Sequence, residues 1–521
     1  MTVKQRWLLV LSGLSGFMIA LDTTIVTTAL GTLRERLHAS VESLEWTVNG
    51  YALSYAVLLL TGSALGDRFG RRRMFAIGTA LFTASSVACA LSPTVGVLIA
   101  ARVVQGSGAA LVMPLALAQL TAAFPPAARG KVLGQFAGIV GLATFSGPFI
   151  GGAVAQGLAW QWLFWVNVPV GVAILAGTLL RVDETRGPQS RFDLAGVLLA
   201  TGGILGLVWA LVRGNAAGWG SAETLGSLAA GTVLTVGFVA WELRTAAPML
   251  PMRFFRYRAF SSASAATFLM IGSMFGTLFF LAQYFQTTLG YGPFGAGLRL
   301  MPWSGMLMLC GPLAGSLADR LGERRFVVSG LIFQAVGLGW IALVAGPDMS
   351  YLTVLPALVI SGVGLSMAMP SVQKASVGAV EPREIGQASG AYSMLRQVGG
   401  LFGTTVAVAV FTGSGGGYSS PRHFADGFAP AMAVLAVMAL VGAASAVFLP
   451  GRAATRAARR GLDVAQPPNG ISATTRGTTP LPPHRHSTSC APTATETPES
   501  TLRRSPTHSM SSSGRSTGPA K

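Results

Sequence analysis

A series of long apolar runs constrains this sequence more than any other feature, because a helix of about 20 apolar residues spans the hydrocarbon core of a bilayer. Of the 521 residues, 51% are hydrophobic and only 11% are charged. A soluble protein of ordinary composition carries about 25% charged residues. Most of this chain is therefore not built to face water, and we predict an all-α integral membrane protein.

Fourteen apolar runs lie between charged or Pro/Gly-rich breaks, and each predicts one transmembrane helix. The first run is longer than the apolar region of a signal peptide, so we expect it to be retained. The runs fall near 7–31, 43–66, 74–92, 95–121, 132–157, 162–181, 192–212, 223–243, 259–285, 294–317, 326–346, 351–374, 387–412 and 427–449.

Two polar loops repeat within the apolar region. The first reads Gly-Asp-Arg-Phe-Gly-Arg-Arg-Arg around Asp67, and the second reads Ala-Asp-Arg-Leu-Gly-Glu-Arg-Arg around Asp319, which is 252 residues later. This recurrence indicates that a multi-helix unit was duplicated. Because the first six runs end near Arg181, the offset also leaves room for an inserted pair of helices.

We therefore predict four segments. An N-terminal six-helix bundle covers 1–181, an inserted two-helix segment covers 182–257, and a C-terminal six-helix bundle covers 258–450. Residues 451–521 are rich in Arg, Ser, Thr and Pro. They show no apolar periodicity, which predicts a disordered cytoplasmic tail.

Basic residues are concentrated in alternate loops. With a cytoplasmic N-terminus, the inner loops before the tail hold twenty Lys and Arg residues, and the outer loops hold five. This bias predicts a multi-pass protein of the cytoplasmic membrane with both termini in the cytoplasm. Topology and contact with anionic lipid also explain the net charge of +18, so we expect no nucleic-acid partner.

Several function classes lack their characteristic motifs. The three cysteines lie far apart, and no histidine lies within a predicted span. The single Gly-Lys pair lacks the upstream glycine of an ATP-binding loop. We therefore expect no enzyme, no metal site and no bound cofactor.

Asp22 and Arg102 are charged residues inside predicted spans. Each lies eight residues, or about 12 Å, below the outer boundary of its helix, so the two are level in depth. Gln105 follows Arg102 on the same helical face. A carboxylate at this depth requires a partner, water or a proton. Asp22 is a candidate for taking up and releasing a proton, with Arg102 tuning its proton affinity; a fixed structural ion pair is the alternative.

The repeated loops are candidates for a conformational latch. Their glycines permit a tight turn, and an aspartate at one helix end can meet the positive N-terminus of a neighbouring helix. The alternative is that these loops carry charge only to set the membrane topology, which explains the arginines but not the other residues. The residues concerned are Asp67, Arg68, Gly70 and Arg71 in the first loop and Asp319, Arg320 and Gly322 in the second.

The fifth predicted span carries a small-residue face with a proline break. Small residues let two helices cross closely, and a proline permits a bend. Two interpretations of this face remain open: it serves tight packing alone, or it also acts as a specific hinge. The face contains Gly138, Gly147, Pro148, Gly151 and Gly152.

Arg396 is a lone arginine in the thirteenth predicted span, and Gln397 follows it. A charged side chain at this depth needs an explanation. It either lines a cavity and favours anionic substrates or bonds only to backbone carbonyls.

These motifs together resemble the major facilitator superfamily, specifically its fourteen-span drug–proton antiporters. The matching stretches are the two repeated loops and residues 21–26, 102–108, 147–152 and 162–171. The resemblance implies alternating access, with a hydrophobic small molecule bound between two six-helix halves. It also implies export of drugs or antibiotics by a monomer, with the proton gradient as the energy source.

Two alternatives remain open on the same fold. One is a proton-coupled importer. The Gly-Pro stretch of the fifth span is the main feature that distinguishes this chain from such importers. The other is an exporter of one narrow secondary metabolite. Cationic, neutral and anionic substrates are all compatible with one intramembrane acid and two intramembrane arginines.

Overall fold

The computed structural model describes residues 1–186, 193–246, 248–380 and 384–450. The predicted tail, 451–521, lies outside the described residues. All regular secondary structure in the described part of the chain is helical. The all-α prediction is confirmed.

The described residues form sixteen α-helices, numbered here in chain order, and one short 3-10 helix, Met252–Arg256. The helices are α1 Val3–Thr28, α2 Leu30–Leu37, α3 Val41–Phe69, α4 Arg71–Ala90, α5 Val95–Ala123, α6 Pro126–Gly157, α7 Trp162–Trp165, α8 Asn167–Arg181, α9 Leu194–Ala217, α10 Ala222–Glu242, α11 Arg258–Thr287, α12 Pro293–Leu321, α13 Glu323–Val344, α14 Tyr351–Val377, α15 Ile385–Gly413 and α16 Pro421–Ala446.

Thirteen described segments are long and apolar enough to cross a membrane, and α7 and α8 together form one of them. Helix α12 contains 29 residues. At 1.5 Å per residue it is about 43 Å long, which exceeds the hydrocarbon core of about 30 Å. The chain is therefore a multi-pass membrane protein, and the total of fourteen spans stays a prediction.

Two local features differ from the predicted spans. The first run ends at Thr28, and α2 follows it as a separate amphipathic helix that buries Leu30 and Leu33. A scan for long apolar runs misses such a helix because half of its face is polar. The sixth run is broken at Val166, between α7 and α8.

Local sequence explains where many helices begin. Backbone N–H groups in the first turns of α1, α3, α5, α10 and α16 donate to a preceding Ser or Thr side chain, which satisfies donors that the helix itself leaves unpaired. These capping residues are Thr2, Ser40, Thr94, Ser221 and Ser420.

Glycines turn the chain between two pairs of helices. Gly70 separates α3 from α4 with a φ of 107°, and Gly322 separates α12 from α13 with a φ of 101°. Side chains strongly disfavour this backbone region, so glycine is the residue that fits. The two repeated loops therefore share one backbone conformation at their central glycine.

Glycines also permit the closest helix crossings. A Cβ at Gly62 of α3 would overlap the carbonyl oxygen of Ala110 in α5, and a Cβ at Gly403 of α15 would overlap the backbone of Gly272 in α11. Lipid tails are as apolar as leucine, so helices in a membrane associate through close packing of this kind.

Helices α1–α8, here called the N-half, pack mainly with one another, and so do α11–α16, here called the C-half. Helix α6 packs against α12 and α3 packs against α15, which joins the two halves. Helices α9 and α10 pack together, and α9 contacts both α3 and α15. The boundaries of the four predicted segments stay predictions. Below, the outer end means the end that holds the loops after α2, α4, α6 and α11, which the charge bias predicts to be external.

Candidate functional site

The centre of the N-half holds a buried ion pair between α1 and α5. The side chains of Asp22 and Arg102 are 0% and 1% exposed, and Arg102 Nη1 donates to Asp22 Oδ2 over 2.5 Å. Gln105 accepts from Arg102 over 2.6 Å and donates to Asp22 Oδ1 over 3.0 Å. The structure therefore brings together the three residues that helical depth and spacing placed side by side.

Two polar side chains outside the predicted set complete this cluster. Asn167, at the start of α8, donates from Nδ2 to Asp22 Oδ1 over 2.9 Å. Ser86 of α4 accepts from Gln105 Nε2 over 2.8 Å. Asn167 could have been identified from the sequence as an asparagine within an apolar run. Ser86 could not, because a serine in a membrane helix gives almost no indication of a functional role.

Helix α3 fixes the arginine from the other side. Arg102 Nε donates to the backbone carbonyl of Thr47 over 3.2 Å, and the guanidinium lies 4.2 Å from the centroid of the Tyr51 ring. A cation over an aromatic face is attracted by the ring quadrupole. Five helices (α1, α3, α4, α5 and α8) therefore contribute to one charged cluster.

This cluster is buried and has no net charge while Asp22 is ionised. Burial of an ion pair costs several kcal/mol per ion and is tolerated only when the remaining hydrogen-bonding positions are filled. The Asp22 carboxylate accepts from three side chains. A proton on Asp22 removes the anion and leaves Arg102 as an uncompensated cation, so proton binding changes the electrostatics of whatever Arg102 faces.

Arg102 faces a small pocket between the two halves. The N-half contributes Thr23, Tyr51 and Arg102 to its lining, and the C-half contributes Phe275 and Gln397 among others. Its volume is about 20 Å³, which is enough for about one water molecule. The ion pair therefore adjoins the plane along which the halves meet.

A buried carboxylate that sequence analysis did not single out lies nearer the outer end. Glu45 of α3 is 1% exposed, and its Oε1 accepts from Asn49 Nδ2 over 2.9 Å. The same Asn49 nitrogen donates to Thr405 Oγ1 of α15 over 2.8 Å, which links the two halves. Glu45 lies in the second turn of α3, near the helix end, where local sequence does not distinguish a buried carboxylate from one at the membrane interface.

Further links between the halves lie at the outer end. Gln286 of α11 donates from Nε2 to the carbonyl of Thr28 over 2.8 Å. The guanidinium of Arg34, in α2, lies 4.1 Å from the centroid of the Tyr418 ring. The unpredicted helix α2 thus takes part in closing this end.

The small-residue face of α6 is tightly packed in its outer half. A Cβ at Gly147 or Gly151 would overlap threonine hydroxyls of α1, and a Cβ at Gly152 would overlap the backbone of α12. The carbonyl of Pro148 lies so close to α12 that a Cβ at Gly297 would overlap it. The outer half of this face therefore joins α6 to both α1 and the C-half.

The same face is open in its inner half. Gly141 lies seven residues before Pro148, so it continues the stripe that meets α12. Among the described residues, a Cβ at Gly134, Gly138 or Gly141 would meet no atom within 4 Å. Gly134 and Gly138 are exposed. Gly138 therefore makes no close helix crossing, in contrast to its partners in the predicted motif.

Arg396 lies in α15, one turn before the pocket residue Gly400. It is partly exposed, and its Nε is buried without a hydrogen-bond partner. Both roles considered for Arg396, lining a cavity and bonding only to backbone carbonyls, stay predictions.

The first repeated loop is held by contacts that spacing alone did not identify. Asp67 forms an ion pair with Arg71 over 2.8 Å, while Arg68 is exposed and lies 5.3 Å from the Phe69 ring centroid. The N-terminus of α4 is occupied instead by Glu184, which accepts from the N–H groups of the two residues after Arg71 over 3.0 and 3.1 Å. A carboxylate in this place is favoured by the helix dipole.

The second loop shares the glycine conformation at Gly322, described above. Glu323, the first residue of α13, forms an ion pair with Lys374 of α14 over 3.1 Å. The side chains of Asp319 and Arg320 lie outside the described residues. The latch role of both loops stays a prediction.

Replacing Gly70 with alanine is expected to destabilise the protein by about 1–3 kcal/mol, because a side chain is strained at a φ of 107°. The new Cβ would also lie 2.6 Å from the Glu184 carboxyl carbon. Thermal unfolding of the purified protein measures the effect. Gly96→Ala is the matched control, because a Cβ there meets no described atom; equal unfolding temperatures for the two variants would refute the strain argument.

Comparison with known proteins places this chain in a family. Residues 13–404 match the family model described as Major Facilitator Superfamily. The chain belongs to this superfamily. The resemblance inferred from the sequence motifs is confirmed.

Relatives within the superfamily are resistance and export proteins. The chain is 36% identical over 445 residues to the Tetracenomycin C resistance and export protein of Streptomyces glaucescens, covering 84% of this chain and 82% of that one. It is 34% identical over 412 residues to the Multidrug resistance protein Stp of Mycobacterium tuberculosis (strain CDC 1551 / Oshkosh), covering 79% and 76%.

A solved structure supports the same fold. A POT family transporter in complex with a thioalcohol conjugated peptide superposes with a TM-score of 0.65 and 15% identity, covering 84% of this chain and 94% of the other. At this identity the likeness concerns the fold alone. The two chains therefore share one all-helical fold.

Proposed function

We propose that this protein exports hydrophobic drug-like or antibiotic molecules across the cytoplasmic membrane in exchange for protons. The names of two relatives, a tetracenomycin C export protein and a multidrug resistance protein, support the direction and the class of cargo. The proposal involves no chemical step on the substrate and no bound cofactor. It places both termini in the cytoplasm and treats the monomer as the transporting unit.

The observation that carries the proposal is the position of the Asp22–Arg102 pair beside the pocket between the halves. A proton on Asp22 cancels the carboxylate charge and frees the Arg102 cation, which lines that pocket. Proton binding and substrate binding thereby act on the same group. This mutual dependence is what an antiporter needs in order to couple two gradients.

Alternating access explains how the proton and the substrate would leave on opposite sides. In this structure the halves are linked at the outer end through Asn49, Thr405 and Gln286. The inner half of the α6 face is exposed at Gly138. The outer links hold that end closed in this structure, and breaking them would give the state that releases substrate outside. The repeated loops at the inner end would then form the latch.

A growth-inhibition panel tests the proposed function. Expression in a pump-deficient bacterial host is expected to raise the inhibitory concentration of at least one hydrophobic antibiotic or dye severalfold. Addition of a protonophore should remove this protection, because the driving force is the proton gradient. Protection that persists with the protonophore would contradict proton coupling, and protection against no compound would contradict drug export.

A further inference from the structure

Arg396 is an intramembrane cation without a counter-ion in the described structure. It lies eleven residues after the start of α15, or about 16 Å from that helix end, which is near the middle of the bilayer. Asp22 at a comparable level is already paired with Arg102. Among the described residues the centre of the transporter therefore carries one unmatched positive charge, which favours an anionic ligand.

Tyrosines of both halves surround this charge. Tyr392 lies one turn before Arg396 on α15, and Tyr55 lies on α3 of the N-half. Both phenols are close enough to interact electrostatically with the guanidinium. Tyr51 and Tyr55 are four residues apart, as are Tyr392 and Arg396, so each pair lies on one face of its own helix, and these two helices, α3 and α15, pack together.

Two hydrogen-bonding atoms in this group have no well-aligned partner. The Tyr392 hydroxyl and Arg396 Nε are both buried, and neither forms a hydrogen bond of normal geometry with a described residue. Buried polar groups are normally paired, and each exception calls for an explanation. Two such donors, the Tyr392 hydroxyl and the Nε of the Arg396 cation itself, fit a ligand that supplies acceptor oxygens.

The location agrees with a ligand site. Gly400, one turn beyond Arg396, and Gln397 line the pocket between the halves together with Tyr51. Phe275 adds an aromatic face to the same pocket. Its present volume of about 20 Å³ does not hold a drug-sized molecule, so the ligand would enter as the halves separate.

We propose that the exported compounds include aromatic acids, and that Arg396 together with the Tyr392 hydroxyl binds their carboxylate or phenolate oxygens. A guanidinium matches a carboxylate through two parallel N–H donors, which lysine cannot reproduce. This assignment rests on the proposed export function and narrows its substrate class.

Equilibrium binding to the purified full-length protein in lipid nanodiscs tests the assignment without a gradient. The probes are anthraquinone-2-carboxylate and its methyl ester, which share a ring system and differ in charge. The wild-type protein is expected to bind the acid about tenfold more tightly than the ester, because a hydrogen-bonded charge is involved. Arg396→Gln should abolish this preference while leaving ester binding unchanged, and Arg396→Lys should retain part of it.

Two further variants guard against a general loss of structure. Tyr392→Phe removes only a hydroxyl and should weaken binding of the acid but not of the ester. Arg299→Gln is the matched control, since Arg299 is an arginine near the outer end of α12 that stacks on the Tyr291 ring, 3.4 Å from its centroid; this variant should keep the preference for the acid.

Equal binding of acid and ester by the wild type, absence of binding of either probe, or an unchanged preference in Arg396→Gln would overturn the assignment. The growth panel and its protonophore control would be unaffected by such a result. Loss of the aromatic-acid site and loss of the export function are therefore distinguishable.

Discussion

Replacement of Asp22 with asparagine is expected to abolish proton-driven accumulation while leaving the protein folded. Asparagine has the same shape but cannot be charged, so Arg102 keeps its positive charge in every state and no proton is carried. One proton charge moving through about 100 mV supplies about 2.3 kcal/mol, which corresponds to a concentration ratio of about 40-fold. Substrate gradients formed by everted membrane vesicles should fall by about this factor.

Ser86→Ala is the matched control for this experiment. Ser86 accepts from Gln105 in the same cluster, but its loss leaves the titratable carboxylate and the Arg102 contact in place. We expect this variant to retain proton-driven accumulation with at most a moderate loss of stability. Accumulation by Asp22→Asn vesicles at the wild-type level would show that the proton is carried elsewhere.

Replacement of Gly152 with alanine is expected to open the outer end. The added Cβ would overlap the backbone at the start of α12, and a backbone cannot move aside as a flexible side chain can. Overpacking of this kind costs about 1–3 kcal/mol, which shifts a two-state population by about 5- to 150-fold. Transport should slow strongly because the outer closure is part of every cycle.

Spin labels at Leu158 and Ser414, both exposed near the outer end, report this shift as a longer inter-label distance. Gly157→Ala is the control at the end of the same helix, because a Cβ there meets no described atom within 4 Å. A distance distribution identical to that of the control would mean that the contact between α6 and α12 does not hold the outer end closed.

Helical geometry was sufficient to predict which three residues meet in the buried charged cluster. Asp22 and Arg102 could be matched because each position along a membrane helix fixes a depth, and charged residues in lipid must find a partner. Gln105 followed from its spacing on the same helix. Asn167 was not predicted to join the cluster, because it lies at the break between α7 and α8, and a hydropathy scan reads these two helices as one continuous helix.

Contacts between segments distant in the chain were beyond this reasoning. Glu184 caps α4 from 112 residues away, and no local pattern reveals such a pairing. Asp67, at the end of α3, pairs with the side chain of Arg71, the first residue of α4, whereas the backbone N–H groups of that terminus bind Glu184. The burial of Glu45 depends on how α3 packs against α15, which a single helix pattern does not encode.

Proton movement measured in proteoliposomes tests the central claim most directly. Purified protein is reconstituted with a pH-sensitive dye inside the vesicles, and a compound identified by the growth panel is added outside. For the wild type we predict a substrate-dependent proton flux opposite to substrate movement, and for Asp22→Asn we predict no such flux although substrate still binds. Substrate transport by the wild type without any proton flux, or an undiminished flux in Asp22→Asn, would contradict the assignment of Asp22 as the proton-binding group.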